Sequence, residues 1–314
     1  MIDGGDTSGD ETDMSLPVKT VPLFSVIIPT YSRPRHLRLC LQSLAGQDLF
    51  PERYEVIVVD DGGGVDLNGI ISSVNPMKIR LLRQINSGPA AARNLGADHA
   101  RGQILVFTDD DCRPPPRWLS NIALHFEAVP DSILGGNTLN SLPENPFATA
   151  SQMLISYLFR YYNSETDRAS FITSNNLAIP GEIYRDAGGF DEVFPRPGGE
   201  DREFVAKLLN RGHRVFFSPD NLVEHGHSLT FPSYCRQHFN YGRGAYHYHE
   251  KHTRRMGGNL SPEPLSFYSN LLRAPFEKGL HGRSFLISTL LVLSQASNAA
   301  GYFFEKWKNS IPGG

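Results

Sequence analysis

The chain has 314 residues, 40% of them hydrophobic and 20% charged, which suits one large globular domain with or without a small appendage. Its formal net charge of −3 offers no basic face for nucleic acid, so no such partner is expected. Three widely spaced cysteines, Cys40, Cys112 and Cys235, make neither a disulfide framework nor a zinc pattern, and imply a reducing compartment.

Residues 1–20 are acidic and rich in Gly, Ser and Thr, which reads as a disordered tail and not as a signal peptide. FSVIIPT (24–30) is the first predicted strand. A helix follows in SRPRHLRLCLQSLAG, with Ser32 as cap, Pro34 in the first turn, Leu37, Leu41 and Leu44 on one face and Gly46 as stop. YEVIVVDDGGG is a second strand ending in Asp60 and Asp61. LNGIISSV is a short helix and KIRLLR a third strand. GPAAARNLGADHARG is a helix with Pro89 in its first turn and Gly102 past its end. QILVFT is a fourth strand that runs into Asp109, Asp110 and Asp111.

Strands and helices alternating at this spacing predict an α/β chain with a Rossmann-like, mostly parallel sheet flanked by helices. Ligands of such sheets bind beyond the carboxyl ends of the strands. Thr30 and Tyr31, Asp60 and Asp61, and Asp109 to Asp111 all fall on that rim. No glycine-rich turn follows the first strand and no GxxxxGK[ST] occurs, so neither a dinucleotide fingerprint nor a P-loop handles phosphate here.

Three adjacent carboxylates repel one another unless a cation compensates them. A hard divalent ion, Mn2+ or Mg2+, takes carboxylate oxygens together with substrate phosphates. On an extended segment Asp109 and Asp111 would share a face and Asp110 would point away. Taken alone, DDD before PPPRWL is also ordinary turn chemistry; beside two other polar strand ends, the metal site is the preferred reading.

Downstream, GGEDREF sets Glu200 and Asp201 at the start of an amphipathic helix on which Phe204 and Leu208 share a face. Acidic residues in a first turn also simply offset the helix dipole. The preceding FPRPGG reads as a mobile flap. In HYHEKH (247–252) only His249 and His252 share a helical face, which reads as a solvated helix end. The uncharged stretch 284–304 matches a bilayer span in length, but Gln295, Asn298 and several serines favour a buried or membrane-surface helix. Around it Lys251, Arg254, Arg255, Arg273, Lys278, Arg283, Lys306 and Lys308 outnumber Glu263, Glu277 and Glu305, so this end suits either an anionic membrane face or plain solvent. The expected organisation is a tail (1–20), a main domain (21–250) and a C-terminal helical segment (251–314), either membrane-associated or simply packed and solvated.

Across about residues 22–250, SVIIPTYSRPRHLRLCLQSL, VIVVDDGG, GPAAARNLG, FTDDD, SNNLAIP, GGFDE, GEDREFVAKLLNRG and HFNYGRGAY occur in the order, and with the character, of a family 2 glycosyltransferase of GT-A fold, which the chain resembles. The resemblance implies inverting transfer of a sugar from a UDP- or other nucleotide-diphosphate donor to a hydroxyl of a glycan or lipid-linked acceptor. Cell-envelope polysaccharide biosynthesis is the implied setting, in the cytoplasm or peripherally at the inner face of the plasma membrane. By the same resemblance Thr30, Asp60 and Asp61 contact the base and ribose, and Arg93 sits near the nucleotide. Asp109 lies by the ribose or the metal, FTDDD being the DxD motif, and Asp111 ligates Mn2+ or Mg2+. His225, with His227 as second choice, completes the coordination. Asp201 is the general base that inversion requires and Glu200 orients it. Asn175 and Asn176 line the acceptor side or are plain turn and strand-edge asparagines. A sugar nucleotidyltransferase and a non-catalytic nucleotide-sugar-binding homologue are the competing readings; the first usually grips its triphosphate with a glycine-rich loop that PTYSRPR lacks.

Overall fold

The computed structural model describes residues 21–74, 77–165, 168–194, 198–257, 262–280 and 282–310. The expected tail (1–20) and part of the proposed flap (195–197) lie outside them. The first half alternates as the spacing predicts: β1 (Phe24–Thr30), α1 (Pro34–Ala45), β2 (Tyr54–Asp60), α2 (Asn68–Ser72), β3 (Ile79–Arg83), α3 (Pro89–Asp98) and β4 (Ile104–Thr108). Then follow β5 (Cys112–Arg113), α4 (Trp118–Ala128), β6 (Ser132–Asn140), α5 (Pro146–Tyr162), β7 (Asn176–Pro180) and α6 (Gly181–Ala187). The chain continues with α7 (Glu200–Asn210), β8 (Arg214–His225), α8 (Phe231–Met256), α9 (Leu265–Glu277) and α10 (Ser284–Ser310).

One eight-stranded sheet has the order β3-β2-β1-β4-β7-β6-β8-β5. The β3-β2-β1-β4 half is parallel, β7 runs antiparallel to both β4 and β6, and β8 is parallel to β6. Alternate residues of β1 feed opposite faces. Val26 and Ile28 join Leu37, Leu41 and Trp118 in one core; Ile27 joins Phe107, Ile179 and Phe204 in the other. On α3, Gly96 lets the helix close on the sheet, since a methyl there would lie 2.5 Å from Ile27 Cγ2.

Two local expectations change. Ser32 does not cap α1: it adopts φ 53 and its hydroxyl donates to the Gly63 carbonyl, tying the end of β1 to the turn after β2. Helix α3 stops at Asp98, short of Gly102, whose missing side chain is needed for close approach to Ser25.

Helices α5, α8, α9 and α10 build a third core with Tyr157, Tyr234, Phe267, Leu271, Ile287 and Leu291. Helix α8 runs without a break through the expected boundary at 250/251. It meets α10 through glycines: a methyl on Gly242 would fall 1.8 Å from the Asn298 carbonyl oxygen, and one on Gly301 1.9 Å from that of Phe239. The histidines of α8 are therefore not solvated as expected. His247 Nε2 lies 3.2 Å from Glu305 and His249 Nδ1 3.3 Å from the Tyr302 hydroxyl, both on α10. Among the described residues no helix is long and apolar enough to cross a membrane.

Candidate active site

The parallel register sets Thr30 beside Asp60, and β4 delivers Asp109 to Asp111 to the same rim. The chain does not stay extended there. It turns, with the Cys112 N–H donating to the Asp109 carbonyl at 3.0 Å, so the strand alternation fails and Asp110 does not point away. Arg33, just after β1, reaches both of the last two aspartates: one Nη is 2.9 Å from Asp111 Oδ2 and 3.2 Å from Asp110 Oδ1. Thr30 Oγ1 donates to Asp110 Oδ2 at 2.7 Å. Arg33 is thus a cation that compensates the aspartates and that the sequence pattern did not single out; its position three residues past a polar strand end was the available signal.

The antiparallel pairing of Cys112 with His225 brings the end of β8 to this turn, and His225 Nε2 lies 3.3 Å from Asp111 Oδ1. Burial opposes ionisation of both neighbours, with opposite results. For Asp111, His225 and Arg33 overcome burial and hold the carboxyl well below the usual range. For Asp110, burial prevails over Arg33 and pushes the carboxyl up to about 7. His225 is raised: burial alone would lower it, but Asp111 more than offsets that. His227 is pushed down to about 4 by burial and by His225.

Asp109 faces the other way, onto Arg93. This arginine of α3 is only 3% exposed, and it bridges 2.8 Å to Asp109 and 3.3 Å to Glu200 at the start of α7. Glu200 Oε2 also accepts the Gly198 N–H at 2.7 Å. Positive-φ glycines at 198 and 199 make the turn into α7; a methyl on Gly199 would fall 2.9 Å from the Gly244 carbonyl of α8. Asp201, partly exposed, accepts from the Ser174 N–H at 3.2 Å and from its hydroxyl at 3.4 Å. Burial raises Glu200 to about 7 and raises Asp201 as well, with Arg93 offsetting part of each rise.

The remaining sites expected from sequence divide into available and occupied groups. Asp60 accepts the Gly63 N–H with one oxygen at 2.8 Å and leaves the other in a looser ion pair, 3.9 Å from Arg83 Nε. Asp61 uses both oxygens on the loop entering α3: Oδ1 accepts from Ser87 N–H and Gln84, and Oδ2 from Gly88 N–H. Asn175, 9% exposed, accepts from the Thr173 hydroxyl. Asn176, 1% exposed, differs most from the acceptor-side expectation. Its oxygen accepts from Trp118 Nε1, and its amide N–H groups reach the Asn137 and Asn221 carbonyls, so it joins β7 to the strands and helix around it.

The donor set suits a hard cation. Asp111 is ionised and His225 adjoins it; Asp109, two residues before Asp111, is part-exposed but engaged by Arg93. Cys112 lies within 4.8 Å of the Asp111 and His225 donor atoms. Burial pushes its thiol up, and a soft sulfur donor suits hard Mn2+ or Mg2+ less well than carboxylate oxygen.

Comparison with known proteins agrees with this geometry. The chain is 26% identical over 228 residues to glycosyltransferase AglE of Haloferax volcanii, covering 72% of this chain and 73% of that one. It is 32% identical over 223 residues to the hyaluronan synthase of Pasteurella multocida, covering 60% of this chain but 23% of that longer enzyme. In fold it matches the mannosyltransferase PcManGT of Pyrobaculum calidifontis, solved with GDP-Man and Mn2+, at a TM-score of 0.65 and 18% identity over 93% of this chain and 89% of that one. The model of Glycosyl transferase family 2 matches residues 25–187, more than half of the sequence, from the first strand through the Asp109–Asp111 turn to α6. The chain therefore belongs to glycosyl transferase family 2 and is a glycosyltransferase of GT-A fold.

Proposed function

We propose that this chain transfers a sugar, with inversion, from a nucleoside-diphosphate donor to a hydroxyl of a glycan or lipid-linked acceptor, with Mn2+ or Mg2+ bound by Asp111 and His225 and met from Asp109. The observation that carries the reading is the ion-pair relay Asp109–Arg93–Glu200. It ties the strand-end aspartates to the acidic pair of α7, so that the donor end and the base end of one displacement lie side by side. When bound, the cation would neutralise the departing diphosphate. Asp60, with one oxygen on the Gly63 N–H and the other 3.9 Å from Arg83, would meet the ribose or base from the rim, and Arg33, with an exposed side chain, can turn from the aspartates to donor phosphate. Asp201 accepts the proton of the attacking hydroxyl. Its raised basicity suits that role, and the Ser174 N–H fixes the carboxylate. Glu200, locked between Arg93 and the Gly198 N–H, orients Asp201 and does not itself meet the acceptor.

The solved mannosyltransferase binds GDP-Man and Mn2+, and another GT-A neighbour, TarS of S. aureus, is solved with UDP-GlcNAc at a TM-score of 0.52; both support a nucleotide-sugar donor here. The hyaluronan synthase relative supports a glycan acceptor. The free cysteines support a cytoplasmic site of action. Residues 21–250 would form the transferase unit and 251–314 a helical extension continuous with it through α8.

The test is Asp201→Asn, followed by turnover and donor binding. Loss of transfer by a factor of about 100 to 10,000 with donor affinity kept is the expected outcome. Near-normal transfer would show that Asp201 is not the base.

A further inference from the structure

Helix α10 has two apolar faces, and the protein covers only one. Ile287, Leu290, Leu291, Ser294 and Gly301 face inward. On the opposite side Phe285 is 78% exposed, Val292 51%, Phe303 64% and Trp307 61%. With the exposed Thr289 and Ala296 between them they follow helical spacing and form one continuous stripe without an ionisable residue. At about 1.5 Å per residue the stripe is roughly 33 Å long, more than scattered surface apolar residues account for.

The exposed charges around it are mostly basic, with Glu277 and, paired to Arg283 just before α10, Glu144 as the acidic exceptions. Lys306 and Lys308 flank Trp307 in the open, and at the other end Arg273 and Lys278 are exposed on and just after α9, beside Phe276, itself 55% exposed. Among the described residues from 265 onward the acidic ones are Glu277 and Glu305, and Glu305 is buried under Arg243 and His247. The chain as a whole is negative, so this patch is a local reversal. A second copy is a poor occupant: stripe on stripe, parallel or antiparallel, brings together ends at which lysine and arginine outnumber the acids Glu277 and Glu144. An anionic surface satisfies both the apolar face and the surrounding cations.

We propose that the outer face of α10 rests on a lipid bilayer with anionic headgroups, the helix lying in the interface plane with Phe285, Phe303 and Trp307 inserted among the upper acyl chains. The arrangement needs no spanning segment and does not depend on the transferase reading. It has a consequence for reach: α10 packs through Gly301 and Gly242 on α8, and a methyl on Gly244 of α8 would fall 1.7 Å from the Gly198 carbonyl at the entry to Glu200. The bilayer would lie two helices, α10 and α8, away from the acidic pair.

Truncating α10 would uncover the third core, so point substitutions on its outer face are the test. The full chain is mixed with vesicles of phosphatidylcholine, or of phosphatidylcholine with phosphatidylglycerol, and sedimented. Trp118 is fully buried, so a blue shift of tryptophan emission reports Trp307. Sedimentation with the phosphatidylglycerol vesicles and a blue shift in the parent chain, with sedimentation lost in Phe303→Ser/Trp307→Ser and weakened at least about tenfold in Lys306→Glu/Lys308→Glu, is the expected result. Unchanged thermal unfolding shows that both variants are folded. Absence of binding to either vesicle overturns the proposal, and so does equal binding to both. A concentration-dependent dimer by light scattering that Phe303→Ser/Trp307→Ser abolishes, without vesicle binding, overturns it in favour of a second copy.

Discussion

Replacing Arg93 by Met would remove a guanidinium that holds two carboxylates at once while keeping much of its apolar volume. The Arg93 and Glu200 side chains are each 4% exposed, so Glu200 would be left as a buried charge without a counter-charge, at a cost of about 3–5 kcal/mol. Asp109, with a side chain 29% exposed, adds on the order of 1 kcal/mol. For a chain of this size the sum corresponds to a fall in Tm of roughly 10 °C. The sign with pH follows from Glu200. Its folded pKa is raised from 4.5 to about 7 even with Arg93 in place, so the folded state takes up protons there and stability falls as pH rises between those values. Without Arg93 the rise is larger and the fall extends to higher pH. The deficit of Arg93→Met against the parent should then be small near pH 5, where Glu200 is protonated in both, and largest near pH 8. Thermal unfolding at several pH values measures it. A deficit below about 1 kcal/mol, or one equal at both ends of the pH range, would refute the idea that Arg93 is the counter-charge of a buried acid.

Two further outcomes concern the strand ends. His225 is raised above 6.5 by Asp111 and must lose its proton to bind a cation, so Mn2+ affinity measured by calorimetry should climb as pH rises past that value, and His225→Asn should flatten the dependence. Asn176→Ala would strand the Trp118 indole N–H and two backbone carbonyls in the interior; at about 1–3 kcal/mol for a group left unsatisfied, urea unfolding should report a loss of about 3 kcal/mol or more, whereas a loss near zero would mean that water replaces the amide.

What could be read along the chain was whatever repeats with the period of one element. Val and Ile runs ending in carboxylates gave the strands and the rim, Leu37, Leu41 and Leu44 gave the buried face of α1, and Gly198-Gly199 before Glu200 marked the start of α7. The ordered motifs then sufficed for the family. Contacts between elements were decided by the tertiary structure alone. Arg93 and Glu200 lie 107 positions apart and meet only because the sheet and its flanking helices fold α3 and α7 against one another. Arg33 becomes the partner of Asp110 and Asp111 because the chain turns after β4 where an extended segment was expected. Asn176 is spent on Trp118 and neighbouring carbonyls because β7 is buried in mid-sheet. Periodicity fixes which residues share a face, but the meaning of a charge or an apolar stripe depends on what that face meets. Only the packing of α8 on α10 shows that one apolar side of the last helix is covered and the other is left open.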